Sequence, residues 1–152
     1  MTDSYTLLVN SISSPIQLGI YRSSELTKSI ELEGKTSDVL VEMVYDILGR
    51  YNIGKIIYVN GPGSYMAIKL TYIMLETIKM IKNIDFYAVS GFELNDAKPI
   101  KAMGKLYFIK EKETIITQKF DEDIKQEFWL PKSLSALKLR DDNLPEYTLP
   151  AV

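Results

Sequence analysis

The residues of this chain best placed to do chemistry are Asn60-Gly61-Pro62-Gly63-Ser64. They follow the apolar run Ile56-Ile57-Tyr58-Val59 and lead straight into a long apolar segment. Gly61 and Gly63 permit backbone angles that other residues resist, and Pro62 fixes its own φ. Ser64 offers a side-chain oxygen to the free amides of a first helical turn. A glycine turn that opens a helix gathers backbone N–H groups and the positive end of the helix dipole at one place, which suits an anion such as phosphate. A tight strand-to-helix connection accounts for the same residues. Because short glycine motifs recur without function, the local pattern alone favours the connection.

Little else in the chain could assist a reaction. There is no histidine and no cysteine, which removes disulfides, thiolate nucleophiles, zinc–sulfur sites, the commonest general base and every Ser-His or Cys-His pair. Magnesium-assisted phosphoryl chemistry needs carboxylates, and Asp3, Asp38 and Asp85 show no persuasive pairing. As a nucleophile Ser64 would lack a base, so peptidase chemistry has no support and no catalytic residue or metal ligand is assigned. The net charge of −2 and pI of about 5.3 give no overall footprint for nucleic acid. Lys98, Lys101, Lys105 and Lys110 could line a basic face, but lysines also guard the edges of sheets, and that reading is favoured. Trp129 beside Phe128 reads as core of a small domain rather than a base-stacking platform.

The elements that must position the turn follow from periodicity. Residues 5–11 (YTLLVNS), 16–22 (IQLGIYR) and 25–32 (ELTKSIEL) read as three strands of an antiparallel meander joined by tight turns. Thr36, Ser37 and Asp38 are candidate N-caps for a helix ending near Gly49-Arg50, with Val39, Leu40, Met43, Val44, Ile47 and Leu48 at helical spacing. A strand to Val59, a helix over 64–82 capped by Ser64, a strand over 86–89 and a short helix over 91–95 capped by Ser90 follow. The order is β-β-β-α-β-α-β-α, a mixed sheet with helices on its faces, placed in a first subdomain, residues 1–95. Residues 96–152 form a reduced second subdomain that leans on the first. It contains a hairpin of 105–110 with 114–120, a short strand over 128–130, a helix over 131–139 and an irregular tail in which Tyr147 packs back on the first subdomain. The N-terminus lacks a basic region and a long apolar core, and charges interrupt the apolar run of 68–81, so neither a signal peptide nor a membrane span is expected and the cytoplasm is the default compartment.

Helix 64–82 carries more apolar residues than one stripe needs: Tyr65, Met66, Ile68, Leu70, Tyr72, Ile73, Met74, Leu75, Ile78, Met80 and Ile81. It is therefore expected to be covered on two sides, one by the sheet and the other by helix 37–50 or by another polypeptide.

These motifs carry a resemblance. Gly61-Pro62-Gly63-Ser64-Tyr65-Met66-Ala67-Ile68-Lys69-Leu70 resembles the GPGSFTGLRIG signature of the TsaB (YeaZ) family, bacterial proteins of the actin-like ATPase (ribonuclease H-like) fold that take part in making threonylcarbamoyl-adenosine in tRNA. Tyr87-Ala88-Val89-Ser90-Gly91-Phe92-Glu93 resembles the family's "gVStLea" segment, Met103-Gly104-Lys105-Leu106-Tyr107 its "MGEVY" strand start, and Leu144-Pro145-Glu146-Tyr147 its "PxY" tail. The matches run through most of the chain in the family's order. Departures accompany them. Val9-Asn10-Ser11 stands where the family has "DTS", Met66-Ala67 where it has Thr-Gly, Lys69 where it has Arg, and Thr36-Ser37 where it often has His-Ser. The second subdomain is shortened.

The resemblance implies an actin-like α/β fold and a non-catalytic scaffold subunit. Such a subunit pairs with the catalytic paralogue TsaD, works with the ATPase TsaE and meets tRNA indirectly. Pairing in the family uses the two first-domain helices, which places Val39, Met43 and Ile47 of helix 37–50 at the interface. From helix 64–82 it places Met66, Ala67, Leu70, Met74 and Ile78 there. A homodimer through the same helices is left open. No cofactor is firmly implied, and ATP or ADP at a partner interface is left open. Asn10 in place of an acidic residue speaks against metal-assisted phosphoryl transfer. The alternatives are a nucleotide-binding ATPase or phosphotransferase built on Gly61, Pro62, Gly63 and Ser64, and a glycoprotease-like peptidase.

Overall fold

A computed structural model describes residues 4–147. Asp3 and the tail beyond Tyr147 lie outside the described residues.

Alternation of apolar side chains builds the first sheet. β1 (Tyr5–Asn10) pairs antiparallel with β2 (Ile16–Arg22), and β2 with β3 (Glu25–Leu32). Two helical crossovers then add parallel strands. α1 (Thr36–Arg50) leads to β4 (Ile53–Val59) beside β1, and α2 (Tyr65–Lys82) leads to β5 (Asp85–Val89) beside β4. The strand order is β3-β2-β1-β4-β5. β1 and β4 are apolar almost continuously because both faces are covered. Leu7, Val9, Ile56 and Tyr58 meet Leu40, Val44 and Ile47 of α1 and Met74, Leu75 and Ile78 of α2. Leu8, Ile57 and Val59 point the other way, into a cluster with Tyr21, Val89 and Leu94. The rings of Tyr58, Tyr72 and Phe86 close a triangle with centroids 5.8–6.3 Å apart between α2 and the sheet.

Among the described residues no α-helix covers the second face. Residues 128–140 run across it as an extended strap, sending Phe128, Leu130, Leu134, Leu137 and Leu139 into the cluster. Its main chain is tied at both ends. Leu26 N–H donates to Lys132 O (2.9 Å) and Leu134 N–H to Ser24 O (2.8 Å) at the β3 edge, and Arg140 N–H donates to Ala88 O (2.9 Å) at the β5 edge. The expected helix over 131–139 is thus reduced to a 3-10 turn at Leu134–Ala136. Pairing with distant strands satisfies the backbone instead of local helical bonds. The strand expected over 128–130 is likewise part of this strap, held by Trp129 N–H to Leu94 O at 3.0 Å. Trp129 is 44% exposed, because in an extended chain it faces away from the sheet when Phe128 and Leu130 face it. It is not core.

The short helix expected over 91–95 is a 3-10 turn, Gly91–Glu93, capped by Ser90 Oγ as anticipated. A second sheet follows in the order β6 (Ile100–Met103), β7 (Leu106–Glu111) and β8 (Thr114–Lys119). The β7–β8 hairpin matches expectation, and β6 is an additional strand. Among the described residues its buried cluster is Phe92, Ile100 and Phe108, with Ile12, Ala102, Ile115 and Phe128 packed against it. Among the described residues no helix is long and apolar enough to cross a membrane.

Candidate functional site

The turn after β4 is a packed junction. Gly61 has φ +121°, and a Cβ there would lie 2.8 Å from Glu146 O and 2.9 Å from Ile68 Cδ1. Its carbonyl accepts from Gly91 N–H at 2.9 Å. At Gly63 a Cβ would lie 2.9 Å from Ile12 Cγ2, and at Gly91 it would lie 2.7 Å from Ile12 Cδ1. Ser64 caps α2 as expected, its Oγ accepting from Ala67 N–H at 3.4 Å. The glycines are therefore spaces filled by Ile12, Ile68 and the chain's own tail. The atom that crowds Gly61 is a carbonyl oxygen, whose negative partial charge opposes an incoming anion.

Asn60 is fully buried in front of this turn. Its N–H donates to Val89 O (3.0 Å), its carbonyl accepts from Glu146 N–H (2.8 Å), and its Nδ2 donates to Leu144 O (2.9 Å). Its Oδ1 is buried with no partner. Tyr58 donates its hydroxyl proton to Asn143 O at 2.7 Å. Burial first, then the neighbouring Tyr72, Tyr147 and Asp142, push that hydroxyl far above the ordinary tyrosine value, so it stays a donor.

At the end of β1, Asn10 is equally committed. Its Oδ1 accepts from Ile12 N–H (3.2 Å) and its Nδ2 donates to Gln17 Oε1 (3.3 Å), while Gln17 Nε2 donates to Phe128 O (2.8 Å). Ser11 Oγ lies 2.8 Å from Thr71 Oγ1, which ties β1 to α2. The Asn10 carboxamide thus anchors the β1–β2 turn to the strap.

The other chemistry-bearing residues do not converge. Asp38 is exposed in the first turn of α1, and Asp85 pairs with Lys79 at 2.6 Å. Among the described residues no group of three or more carboxylates could hold a metal. Lys98, Lys101, Lys105 and Lys110 are exposed around the second sheet, with Lys98 Nζ 5.9 Å from the Trp129 ring. The N-cap of α1 is Lys35, without a side-chain bond, rather than Thr36, Ser37 or Asp38.

The residues expected at a partner interface divide into two sets. Met66 is 69% exposed, and Val39, Met43 and Leu70 are half-buried. Ile47, Ala67, Met74 and Ile78 are buried in the fold itself, because the stripe 67, 68, 71, 74, 75 and 78 is the face that α2 lays on the sheet and α1. The outward stripe is instead Met66, Ile73 (53% exposed) and Met80 (83%), with Tyr65 and Ile81 beside it and Val41 exposed on α1. Sequence reading counted all three in the apolar excess of the helix but placed only Met66 at the interface. Their signal was the seven-residue spacing opposite the sheet-facing stripe. Between the N-terminal ends of α1 and α2 lies a groove of about 520 Å³, lined by Ser11, Ser13, Ser14, Thr36, Ser37 and Ser64 with Ile12, Met66, Ala67 and Leu70.

A scan of protein-family models finds no match, and no curated protein matches the chain significantly. Solved structures do. YeaZ from Pseudomonas aeruginosa superimposes with a TM-score of 0.58 at 12% identity, over 77% of this chain and 65% of that one. A crystal structure described as an uncharacterized protein with similarity to peptidase YEAZ from Pseudomonas aeruginosa gives a TM-score of 0.61 at 10% identity, over 82% of this chain and 71% of that one. The chain spans about two thirds of the length of the first. The helix-launching turn, the outward stripe of α2 and the buried Asn10 therefore sit on the fold of YeaZ, the actin-like, ribonuclease H-like α/β fold.

Proposed function

We propose that this chain is a non-catalytic scaffold subunit of the machinery that makes threonylcarbamoyl-adenosine in tRNA. It pairs with a TsaD-like catalytic paralogue through the outward faces of α1 and α2, works beside a TsaE-like ATPase and meets tRNA only through them. The observation that carries this reading is the stripe Met66, Ile73 and Met80, apolar and exposed on a helix whose other face is fully used by the core. Large side chains set in a line on an ordered helix mark an interaction surface, and methionines suit one that must fit against a partner. The YeaZ fold and the resemblance of residues 61–70 to the TsaB signature support a TsaD-like protein as the partner. Asn10 and the glycine turn, engaged within the protein, support a role without bond-making.

The test is two-component mixing. The chain and a TsaD-like protein should form a complex at micromolar concentration. Ile73→Lys and Met80→Lys should each weaken it at least tenfold, about 1.4 kcal/mol, with the fold unchanged. Sedimentation of the chain alone shows whether a second copy competes for the same face. Absence of any complex, with tRNA modification proceeding without this chain, would refute the proposal. Titration with ATP and magnesium separates it from the phosphotransferase reading, which requires tight metal-dependent binding to the isolated chain.

A further inference from the structure

The last described residues hold on by a different chemistry from the strap that precedes them. Residues 128–139 send five apolar side chains into the second-face cluster. Residues 143–147 send none, and Leu144 and Tyr147 are exposed. Three main-chain groups are gripped instead. Tyr58 donates to Asn143 O (2.7 Å), Asn60 Nδ2 donates to Leu144 O (2.9 Å), and Glu146 N–H donates to Asn60 O (2.8 Å). The segment's own side chains add less: Asn143 Nδ2 to Phe86 O at 3.3 Å, Arg140 to Glu146 at 3.8 Å, and the Tyr147 ring 4.8 Å from Tyr65. Donors and acceptors that read main-chain groups recognise an extended peptide largely irrespective of its sequence. Gly61 completes the seat, since any side chain there would meet Glu146 O. The seat is also imperfectly filled, because the buried Asn60 Oδ1 has no partner although buried acceptors are normally paired.

We propose that Tyr58, Asn60 and Gly61 form a binding site for the main chain of an extended peptide, and that residues 143–147 fill it as a displaceable intramolecular occupant. A peptide that brings one further N–H donor to Asn60 Oδ1 fits the site better than the chain's own tail. The site reads main-chain groups through Tyr58 and Asn60 and does not depend on the pairing proposed above.

The test uses the full chain with its tail weakened by Glu146→Pro, which removes the N–H donated to Asn60, together with Tyr147→Ala. A fluorescein-labelled peptide of residues 141–147 is followed by fluorescence anisotropy. It should bind the weakened-tail chain at least tenfold tighter than the unchanged chain, where the native tail competes. Adding Tyr58→Phe should lower that affinity about fivefold, the effect of one hydrogen bond. Equal binding by the two chains, or none by either up to about 1 mM with both folded, overturns the proposal. Hydrogen exchange on the unchanged chain gives a second readout that needs no variant. The Glu146 amide should exchange by local opening at least a hundredfold faster than the amides of Leu8 and Ile57. Exchange of Glu146 only together with those core amides also overturns it.

Discussion

Ile12 is the side chain on which Gly63 and Gly91 close, and it allows their role to be tested atom by atom. A methyl added at Gly91 would lie 2.7 Å from Ile12 Cδ1 and 3.2 Å from Ile100 Cδ1. One added at Gly63 would lie 2.9 Å from Ile12 Cγ2 and 3.0 Å from Ile12 Cβ. Overpacking of this kind costs about 1–3 kcal/mol. Gly91→Ala should fall near the middle of that range, since Cδ1 is the far end of a half-buried side chain and can turn away. Gly63→Ala should fall near the top, since Cβ cannot move without the backbone. Ile12→Val deletes Cδ1 and keeps Cβ and Cγ2, at a cost of about 0.5–1.5 kcal/mol. Combined with Gly91→Ala it should recover about 1 kcal/mol relative to additivity. Combined with Gly63→Ala it should stay additive within about 0.5 kcal/mol. Urea unfolding of the three single and two double variants beside the parent measures this, with a constant m value as the check that only stability has changed. Equal coupling at the two glycines, or none at Gly91, would refute the packing argument. Unchanged stability in both single variants would return the glycines to an anion-binding role.

Four further outcomes follow from the same geometry. Gly61→Ala should destabilise the chain by about 1–3 kcal/mol, because φ of +121° is strained for alanine and its Cβ would strike Glu146 O; thermal melting reads this. Ser64→Ala should cost about 1 kcal/mol through loss of the α2 cap, measured in urea. Met80→Lys should change stability by no more than about 0.5 kcal/mol, whereas Ile78→Ala, fully buried on the opposite face, should lose about 2–5 kcal/mol. Burial raises the hydroxyl pKa of both Tyr21 and Tyr58 in the folded state. The unfolded chain therefore loses these protons first. Stability should be full below the ordinary tyrosine value of about 10 and decline as pH rises beyond it, less steeply in Tyr58→Phe.

Where the structure departs from the sequence reading, distance along the chain is the common cause. Strands β1 to β5 and both helices were legible because their apolar periods are local, and Ser64 and Ser90 were legible caps because they precede those periods directly. The strap was not. Leu134 and Leu137 sit three residues apart behind Pro131, which is a helical pattern. The backbone of Leu134, Lys132 and Arg140 pairs instead with Ser24, Leu26 and Ala88, and no local signal announces those partners. The same cause misplaces Trp129, whose exposure depends on which face of an extended segment meets a sheet built a hundred residues earlier. β6 escaped notice because four residues after Pro99 are too few to show alternation. The site was legible in part. The turn and Asn10 were found at once, but whether their polar atoms face a ligand or the protein depends on Glu146 and Gln17.

The excess of apolar residues on α2 was the one sequence feature that pointed beyond the chain, and the structure divides it. Ala67, Ile68, Met74, Leu75 and Ile78 are consumed by the sheet and α1. Met66, Ile73 and Met80 are left, spaced seven residues apart so that each falls on the same outward line. Fourteen residues of helix make a strip about 21 Å long, enough to meet several turns of a partner helix. Its direction is set by the turn that launches α2, and that turn is locked from three sides: Ile12 against Gly63, Ile68 and Glu146 against Gly61, and Gly91 N–H on the Gly61 carbonyl. A side chain at Gly61 or Gly63 would therefore act on the proposed docking strip without touching it, by tilting the helix that carries it. A partner-binding defect in Gly63→Ala that is repaired at low temperature, where the destabilised turn is still folded, would indicate lost folding alone. A defect that persists when the chain is fully folded would show that the glycine turn's contribution is the angle of α2.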